Sequence, residues 1–570
     1  MVASTGGTSA SAGVALEHSG AGRETPSPTP SKSKTELPDF HPGWRFIVAF
    51  STLSVITLAA ALDATSLSVA LPIISRALNG TAIEAFWSGT SFLLTSTVLQ
   101  PSFASFSHIF GRKPVILTAI VLFAVGAIIA ALANNFGVLL VGRSLQGIGG
   151  GGIIVLTDVI VTDLIPLRLR GQWFGFISMM WAIGSVSGPI IGGAFAQNVS
   201  WRWIFWINLP LCGIGFLMIP PFLRLNFKVT SLSEKLRRVD WFGSVLFVAS
   251  ATSFMIPITW GGVIYSWSSF RTLVPLILGG AGLVGFMFYE VYVATEPMIR
   301  PRLFRNPTTS IAYFETLLHG MILWCLLYYL PLYYEAVKHL SPILSGVALF
   351  PQTFTVAPAS VIVGIIVSRT GHYRWSLWSG WVLTCGGMGL LYLLDVNTST
   401  VSWIFLNLVA GLGTGILFPS MAFSIQASVP TKDVAFAVAL FSFFRAFGQS
   451  IGVAVGGTIF QNEMRRKLLT HPILAGDADQ YATDAASLVQ VINQMDVANP
   501  QRTPLVQSYA DALKTVWLVM CALAAVALLT SFFVKSYSLD QAHDTEQGFQ
   551  HQRKPKDVEE KDGTGEMGSG

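Results

Sequence analysis

Four ionisable side chains lie deep inside apolar runs of this chain: Asp63, Arg143, Glu315 and Arg445. A carboxylate in such a place is costly unless it is paired, hydrated or protonated, and it marks a functional site by default. Loss of water favours the neutral carboxyl, so Asp63 and Glu315 are candidates to take up and release a proton. A polar pair that fixes one helix against another is the alternative for Asp63. Arginine keeps its proton, so Arg143 and Arg445 can only tune a nearby carboxylate or reach for the interface. Gln146 follows Arg143 by one helical turn on the same face, which suggests a shared cavity. Asp158 and Glu290 are further acidic residues in apolar surroundings, placed nearer span ends or peripheral helices. Glu315 and His319 are four apart and share a helix face, but a metal needs more partners than these two. Gly147, Gly149 and Gly152 fit a dinucleotide-binding pattern without the strand before it or the acid after it, so close helix packing is the better reading. No nucleophile–base constellation emerges, and no enzyme, metal or cofactor is expected.

The elements that must position these groups are long apolar helices. The 570 residues are 52% hydrophobic and 11% charged. Soluble domains carry about 25% charged residues, so most of this exterior must face lipid. About fourteen apolar runs of spanning length follow one another between residues 46 and 535, including those at 87–107, 172–195 and 376–394. About twenty residues of helix cross a bilayer core. With the N-terminus inside, the inner loops hold Arg112, Lys113, Arg168, Arg170, Arg224, Lys228, Lys235, Arg237, Arg238, Arg300, Arg302, Arg305, Arg369, Arg374 and Lys432. The short outer loops hold only Arg76, Arg202, Arg271 and Lys338, the inward bias that orients membrane proteins. Arg465, Arg466 and Lys467 break it by opening a long outer loop at about 460–514. The four cysteines each lie in an apolar run and read as packed thiols. Residues 1–43 and about 540–570 have too little apolar content for a core and read as disordered cytoplasmic tails.

The run GSVSGPIIGG supplies Gly184, Gly188, Pro189, Gly192 and Gly193. It would destabilise a soluble helix but suits close backbone packing in a membrane. It resembles the antiporter motif of the major facilitator superfamily. Leu62-Asp63-Ala64-Thr65 with Ala70-Leu71-Pro72, and Arg143 with Gln146 and Gly147, are similar to signatures of its fourteen-helix drug:proton antiporter family. Trp201-Arg202-Trp203-Ile204-Phe205 with Asn208 and Pro210 resembles the start of the sixth helix there. Trp260-Gly261-Gly262 with Tyr265 and Trp267 resembles fungal members between helices seven and eight. One motif departs: after the second span only Gly111, Arg112 and Lys113 survive, and His108 stands where relatives carry an Asp that helps lock the inner gate. A neutral His108 could keep a hydrogen bond but not the ion pair, and a histidine that titrates near neutrality would make the latch pH-sensitive; the alternative is that Arg112 with Asp163 forms the latch instead.

The resemblance implies an all-α membrane protein of the major facilitator fold, with two six-helix bundles (44–222 and 301–539) and two extra helices at 223–300. It implies proton-coupled export of a hydrophobic small molecule (drug, toxin or secondary metabolite) by alternating access. The glycines of the fifth span are expected to pack against their counterpart at Gly448, Gly452, Gly456 and Gly457, as the surface on which the halves rock. Trp181, Phe314, Tyr328 and Phe444, with Gln146, are candidate cavity residues. Importers or vacuolar exchangers of amino acids or siderophores, and transporter-like sensors, are the rivals. The expected setting is the plasma membrane, with the vacuolar membrane as alternative. The expected partners are substrate, protons and lipid for a monomer, without nucleic acid. Asn79, Asn198 and Asn397 open glycosylation sequons in expected outer loops.

Overall fold

The computed structural model describes residues 40, 42–67, 69–79, 82–226, 231–262, 265–482, 485–541 and 547–548. Fifteen long helices are numbered here in chain order. In the first part of the chain they are α1 (Trp44–Ser66), α2 (Ala82–Val98), α3 (Gln100–Phe110), α4 (Arg112–Ala131), α5 (Phe136–Leu164), α6 (Arg170–Asn198) and α7 (Asn208–Phe222). Next come α8 (Trp241–Trp260) and α9 (Phe270–Tyr292). The remainder are α10 (Pro307–Ala336), α11 (Phe350–Thr370), α12 (Arg374–Leu391), α13 (Thr400–Ala427), α14 (Val434–Leu469) and α15 (Arg502–Ser531). Among the described residues there is no strand; isolated bridge positions occur at Leu225 and between Gly261 and Tyr265.

Twelve helices among the described residues are long and apolar enough to cross a membrane. The other two expected spans take different forms. That at 87–107 is divided into α2 and α3 at Leu99, where Pro101 begins the second piece. That at 376–394 is the 18-residue α12. The long outer loop is shorter than expected, because α14 continues to Leu469 and α15 starts at Arg502. Arg465, Arg466 and Lys467 therefore belong to the final turns of α14.

Helix starts follow local side-chain chemistry. Asn135 Oδ1 accepts the Val138 amide at 2.9 Å, Asp240 Oδ1 the Gly243 amide at 2.8 Å, and Ser399 Oγ the Ser402 amide at 3.2 Å. Each satisfies one of the amides a helix leaves unpaired at its start. Packing then sorts the helices. α1 to α7 contact one another, α10 to α15 do likewise, and α8 and α9 pair at the periphery. Only 17% of the most apolar stretch of α9 is buried, so its Ile277, Leu278, Val284 and Phe288 face outward, as a lipid-facing helix requires.

The two groups meet along two seams, α6 against α11 and α5 with α3 against α14. Backbones touch at the first seam: a Cβ on Gly364 would lie 2.4 Å from the Gly171 carbonyl carbon. The antiporter-motif glycines do something else. A Cβ on Gly184 would meet Ala61 at 2.5 Å, one on Gly188 would meet Thr65 Oγ1 at 2.1 Å, and one on Gly192 would meet Ser66 O at 2.1 Å. These residues press α6 onto α1 of the same bundle. The expected contact with Gly448, Gly452 and Gly456 is absent among these close approaches, since Gly448 and Gly452 face Leu317 and Met321 of α10, and Gly456 faces Tyr329. The backbone contact of α6 with the other group of helices lies instead at Gly171 and Gly175, on another face and nearer the inner end.

The chain after α15 turns back across the inner end. Tyr537 Oη bonds to Asn306, and Gln541 Nε2 donates to the Ala427 carbonyl at 2.9 Å. Asp540 then pairs with Arg168 of the first bundle at 2.8 Å. Gln547 Oε1 accepts the Arg112 amide at 3.0 Å, and the Asn226 amide donates to Gly548 O at 2.9 Å. The expectation of a disordered tail from about 540 is corrected for these residues; 542–546 and 549–570 lie outside the described residues. At the other tail, Phe40 packs edge-on against Phe46 and Trp173, while 1–39 lie outside the described residues. Asn79, Asn198 and Asn397 are exposed at helix ends, and Gly80 and Thr81 of the first sequon lie outside the described residues.

Candidate functional site

The outer third of the first bundle encloses a fully paired carboxylate. α1 carries Asp63 within a turn of its outer end, and α5 carries Arg143 two turns in. Arg143 Nη1 donates to Asp63 Oδ2, Gln146 Nε2 donates to Oδ1 at 2.6 Å, and Asn208 Nδ2 donates to the same oxygen at 2.9 Å. Arg143 also donates from Nε to the Ser88 carbonyl at 3.0 Å, and from Nη1 to Gln146 Oε1 at 2.8 Å. Its guanidinium lies 4.5 Å from the Phe92 ring centre and 5.7 Å from that of Phe205. Asp63 is 1% exposed, Arg143 1% and Gln146 0%. A buried ion pair of this kind survives only when its remaining donors and acceptors are satisfied. Four helices (α1, α2, α5 and α7) meet that requirement here.

This geometry moves Gln146 from the expected cavity wall into the charge cluster. It also brings in Asn208, which the sequence offers only as part of the motif at the start of the sixth helix and not as a partner of the charged residues. Gly147, Gly149 and Gly151 make the approach feasible. A Cβ on Gly147 would lie 2.5 Å from Phe92 O, one on Gly149 2.3 Å from Phe123 N, and one on Gly151 2.1 Å from Ser96 O. The dinucleotide-like pattern is a packing stripe between α2 and α4.

The second bundle holds a neutral counterpart. Tyr334, near the outer end of α10, meets Asn407, and Asn407 Nδ2 donates to the Tyr334 hydroxyl. Asn407 and Arg143 each stand seven residues after the first of their helices. The Tyr334–Asn407 pair carries no charge, unlike Asp63 with Arg143.

Glu315 and Arg445 do not pair with each other. Glu315 is fully buried and neither carboxyl oxygen has a partner; the Trp381 indole comes near it without a well-aligned bond. His319 Nε2 lies 3.0 Å from the Thr414 carbonyl, and its Nδ1 has no partner. Among the described residues no group of three metal-ligating side chains forms. Arg445 is half-buried, stacks 4.7 Å from the Phe418 ring centre, and exerts its field on Asp158 of the first bundle.

At the inner end the surviving basic motif is assembled. Gly111 takes φ +100°, a conformation that favours glycine, and so turns α3 into α4. Arg112 Nε pairs with Asp163 Oδ2 at 2.9 Å, Nη1 donates to Ser107 Oγ at 2.6 Å, and Lys113 Nζ donates to the Pro220 carbonyl. His108 packs 5.1 Å from the Phe436 ring of α14. Burial pushes its pKa down to about 4, and the positive charges of Arg112, Arg300 and Arg238 add to this, opposed by Glu296. His108 is therefore neutral throughout the physiological range, and the expectation of a titrating latch is corrected. Arg168 donates to the carbonyls of Ser368 at 2.7 Å and Arg369 at 3.0 Å, and Arg170 to Gln426 Oε1 at 2.8 Å. These bonds tie the bundles together at this end.

The candidate cavity aromatics scatter. Trp181 of α6 faces Trp324 of α10 edge-on at 6.2 Å, across the two bundles. Phe314 and Tyr328 are 41% and 37% exposed on α10. Phe444 is held in a cluster with Tyr313 at 5.2 Å and Phe304 at 6.4 Å.

Lipid-facing helices, two bundles joined by thin seams and an ion pair sealed in the apolar interior define a multi-pass membrane transporter. A profile of the Major Facilitator Superfamily matches residues 53–453, and the chain belongs to that family. It is 57% identical over 520 residues to "MFS transporter L2" of Phoma sp. (strain ATCC 20986 / MF5453), covering 91% of this chain and 87% of that one. It is 39% identical to "MFS-type efflux pump LUC4" of Fusarium sp, covering 91% and 93%. Among solved structures, the proton:xylose symporter XylE superposes with a TM-score of 0.54 at 12% identity, over 86% of this chain and 96% of that one. The family and fold are those of transporters.

Proposed function

We propose that this chain is a proton-coupled efflux transporter that expels hydrophobic small molecules by alternating access. The observation that carries the proposal is the Asp63–Arg143 pair, a proton-binding group held in apolar surroundings by three donors. Protonation of Asp63 would leave Arg143 a charge without its counter-charge, which changes the balance between conformations by the coupling of a ligand to two states. Several relatives support the direction and the cargo class: two are named efflux pumps, and one is named the "Acurin A biosynthesis cluster MFS-type transporter" of Aspergillus aculeatus, 37% identical. The Trp181–Trp324 pair between the bundles suits a partly planar apolar cargo.

The same reading places fourteen spans in the membrane, counting α2 with α3 and α12, as 44–222, 223–300 and 301–539. Asp63, Arg143, Glu315 and Arg445 serve proton coupling, Arg112 with Asp163 the inner latch, and the protein works as a monomer in the plasma membrane. The test is transport by the purified protein in liposomes against a panel of apolar compounds under an imposed pH gradient. Movement of cargo opposite to protons, abolished when the gradient is collapsed, is expected. Equal transport without any gradient overturns the proposal.

A further inference from the structure

A second buried acid lies where the two bundles touch. Asp158 stands in the inner third of α5 and is 2% exposed. Its Oδ2 accepts the hydroxyl of Ser442 from α14 at 2.5 Å, a bond between residues 284 apart in sequence. One turn along α14, Arg445 turns its field on the same carboxylate. Among the described residues Arg445 is the one charged group that acts on Asp158; α1, α2, α3, α4 and α6 present none to it. The hydroxyl nearest to it in sequence, Thr157, is spoken for by Thr57 at 3.5 Å.

We infer that Asp158 is a proton-operated catch between the bundles: ionised, it holds α5 to α14 and keeps the inner end shut; protonated, it lets that end open. Opening must draw Asp158 away from Ser442 and Arg445. An ionised carboxylate parted from its partners in a low-dielectric interior is strongly disfavoured, whereas a neutral carboxyl loses one ordinary hydrogen bond. A proton added to a carboxylate oxygen of Asp158 therefore lowers the cost of the inward-open state and leaves Arg445 on its Phe418 face. The sign suits export, because proton uptake drives the return of the carrier to the inside. This inference rests on the proposed proton coupling and locates within it a step distinct from Asp63. Asp63 is bound wholly within the first bundle, so its protonation alone cuts no bond between bundles.

The experiment measures inner-end distance in the full-length protein reconstituted in nanodiscs, with spin labels at Arg224→Cys and Thr370→Cys. Both native residues are exposed at the inner ends of α7 and α11. Wild type is expected to move towards the longer distance between about pH 8 and about pH 5, and Asp158→Asn to show the long distance at both. A population ratio shifted about tenfold or more by Asp158→Asn at high pH is the expected size. Ser442→Ala retains the carboxylate and removes one partner, so it should shift the ratio in the same direction by less. Asp63→Asn should still respond to pH. A pH response in Asp158→Asn equal to that of wild type overturns the inference, as does Ser442→Ala with a wild-type ratio. If the distances respond as stated but no gradient drives transport, the functional reading fails and the catch stands.

Discussion

The Asp63 cluster separates a structural role from a proton-carrying one through a pair of substitutions. In Asp63→Asn one oxygen can still receive Gln146 and Asn208, because both donate to Oδ1. The new amide then faces Arg143 Nη1, donor against donor, where Oδ2 had been the acceptor. Breaking one side of a buried ion pair costs about 3–5 kcal/mol, mostly through the stranded charge. The Phe92 and Phe205 faces and the Ser88 carbonyl recover part of that for Arg143, so a loss near 3 kcal/mol is expected. At about 2–4 °C per kcal/mol for a bundle of this size, the melting temperature of purified Asp63→Asn should fall by roughly 6–12 °C. Adding Arg143→Gln removes the stranded cation and should restore at least half of the drop. Proton-driven transport in liposomes should stay absent in the double variant, because the carboxylate that pairs with Arg143 is gone. Gradient-driven transport at wild-type rate in a refolded double variant would show that the pair only props the helices, and the proton argument would fail.

Two further outcomes follow from positions described above. Gly192→Ala would bring a methyl group to within 2.1 Å of the Ser66 carbonyl, whereas Gly193→Ala meets only Val69 Cγ2 at 3.7 Å. The first should lose about 1–3 kcal/mol by overpacking and lower transport, the second should match wild type, and equal behaviour of the two in thermal unfolding and flux would contradict the helix packing. For His108, the folded state resists protonation down to about pH 4, while an unfolded His titrates near its usual 6.5. Protons then bind the unfolded chain preferentially between these values, so acidification through that window lowers stability. His108→Gln should flatten that part of the stability–pH curve and leave the pH profile of transport unchanged; a shifted transport profile would contradict a neutral His108.

Much of this architecture is legible in the residues, for physical reasons that differ by element. Spanning helices announce themselves because lipid demands continuous apolar length, and Arg143 with Gln146 declares a polar face inside one. The Arg112–Asp163 pair is legible because the basic turn Gly111-Arg112-Lys113, without the acid its motif carries, needs another carboxylate nearby. Partners contributed from other helices are harder to read. Asn208 and Ser442 are small polar residues whose importance comes only from what tertiary packing sets against them. The glycines of α6 identify a close approach and, by their spacing, one face of the helix, but not the helix that covers that face, which only tertiary packing decides. His108 is hard to read for a related reason: what keeps it neutral is first its burial, then the charges of Arg112, Arg300 and Arg238, and the last two are nearly two hundred and more than a hundred residues away in sequence.

The return of the chain from α15 to Arg112 makes Asp540, Gln541, Gln547 and Gly548 part of the contacts that hold the inner end. A bulky fusion partner attached to the C-terminus would pull on Asp540 and Gln547, and through them on the turn at Gly111, without altering any spanning helix. Reporter proteins for following this pump in cells are accordingly better carried elsewhere on the chain, or judged first by whether flux survives their attachment.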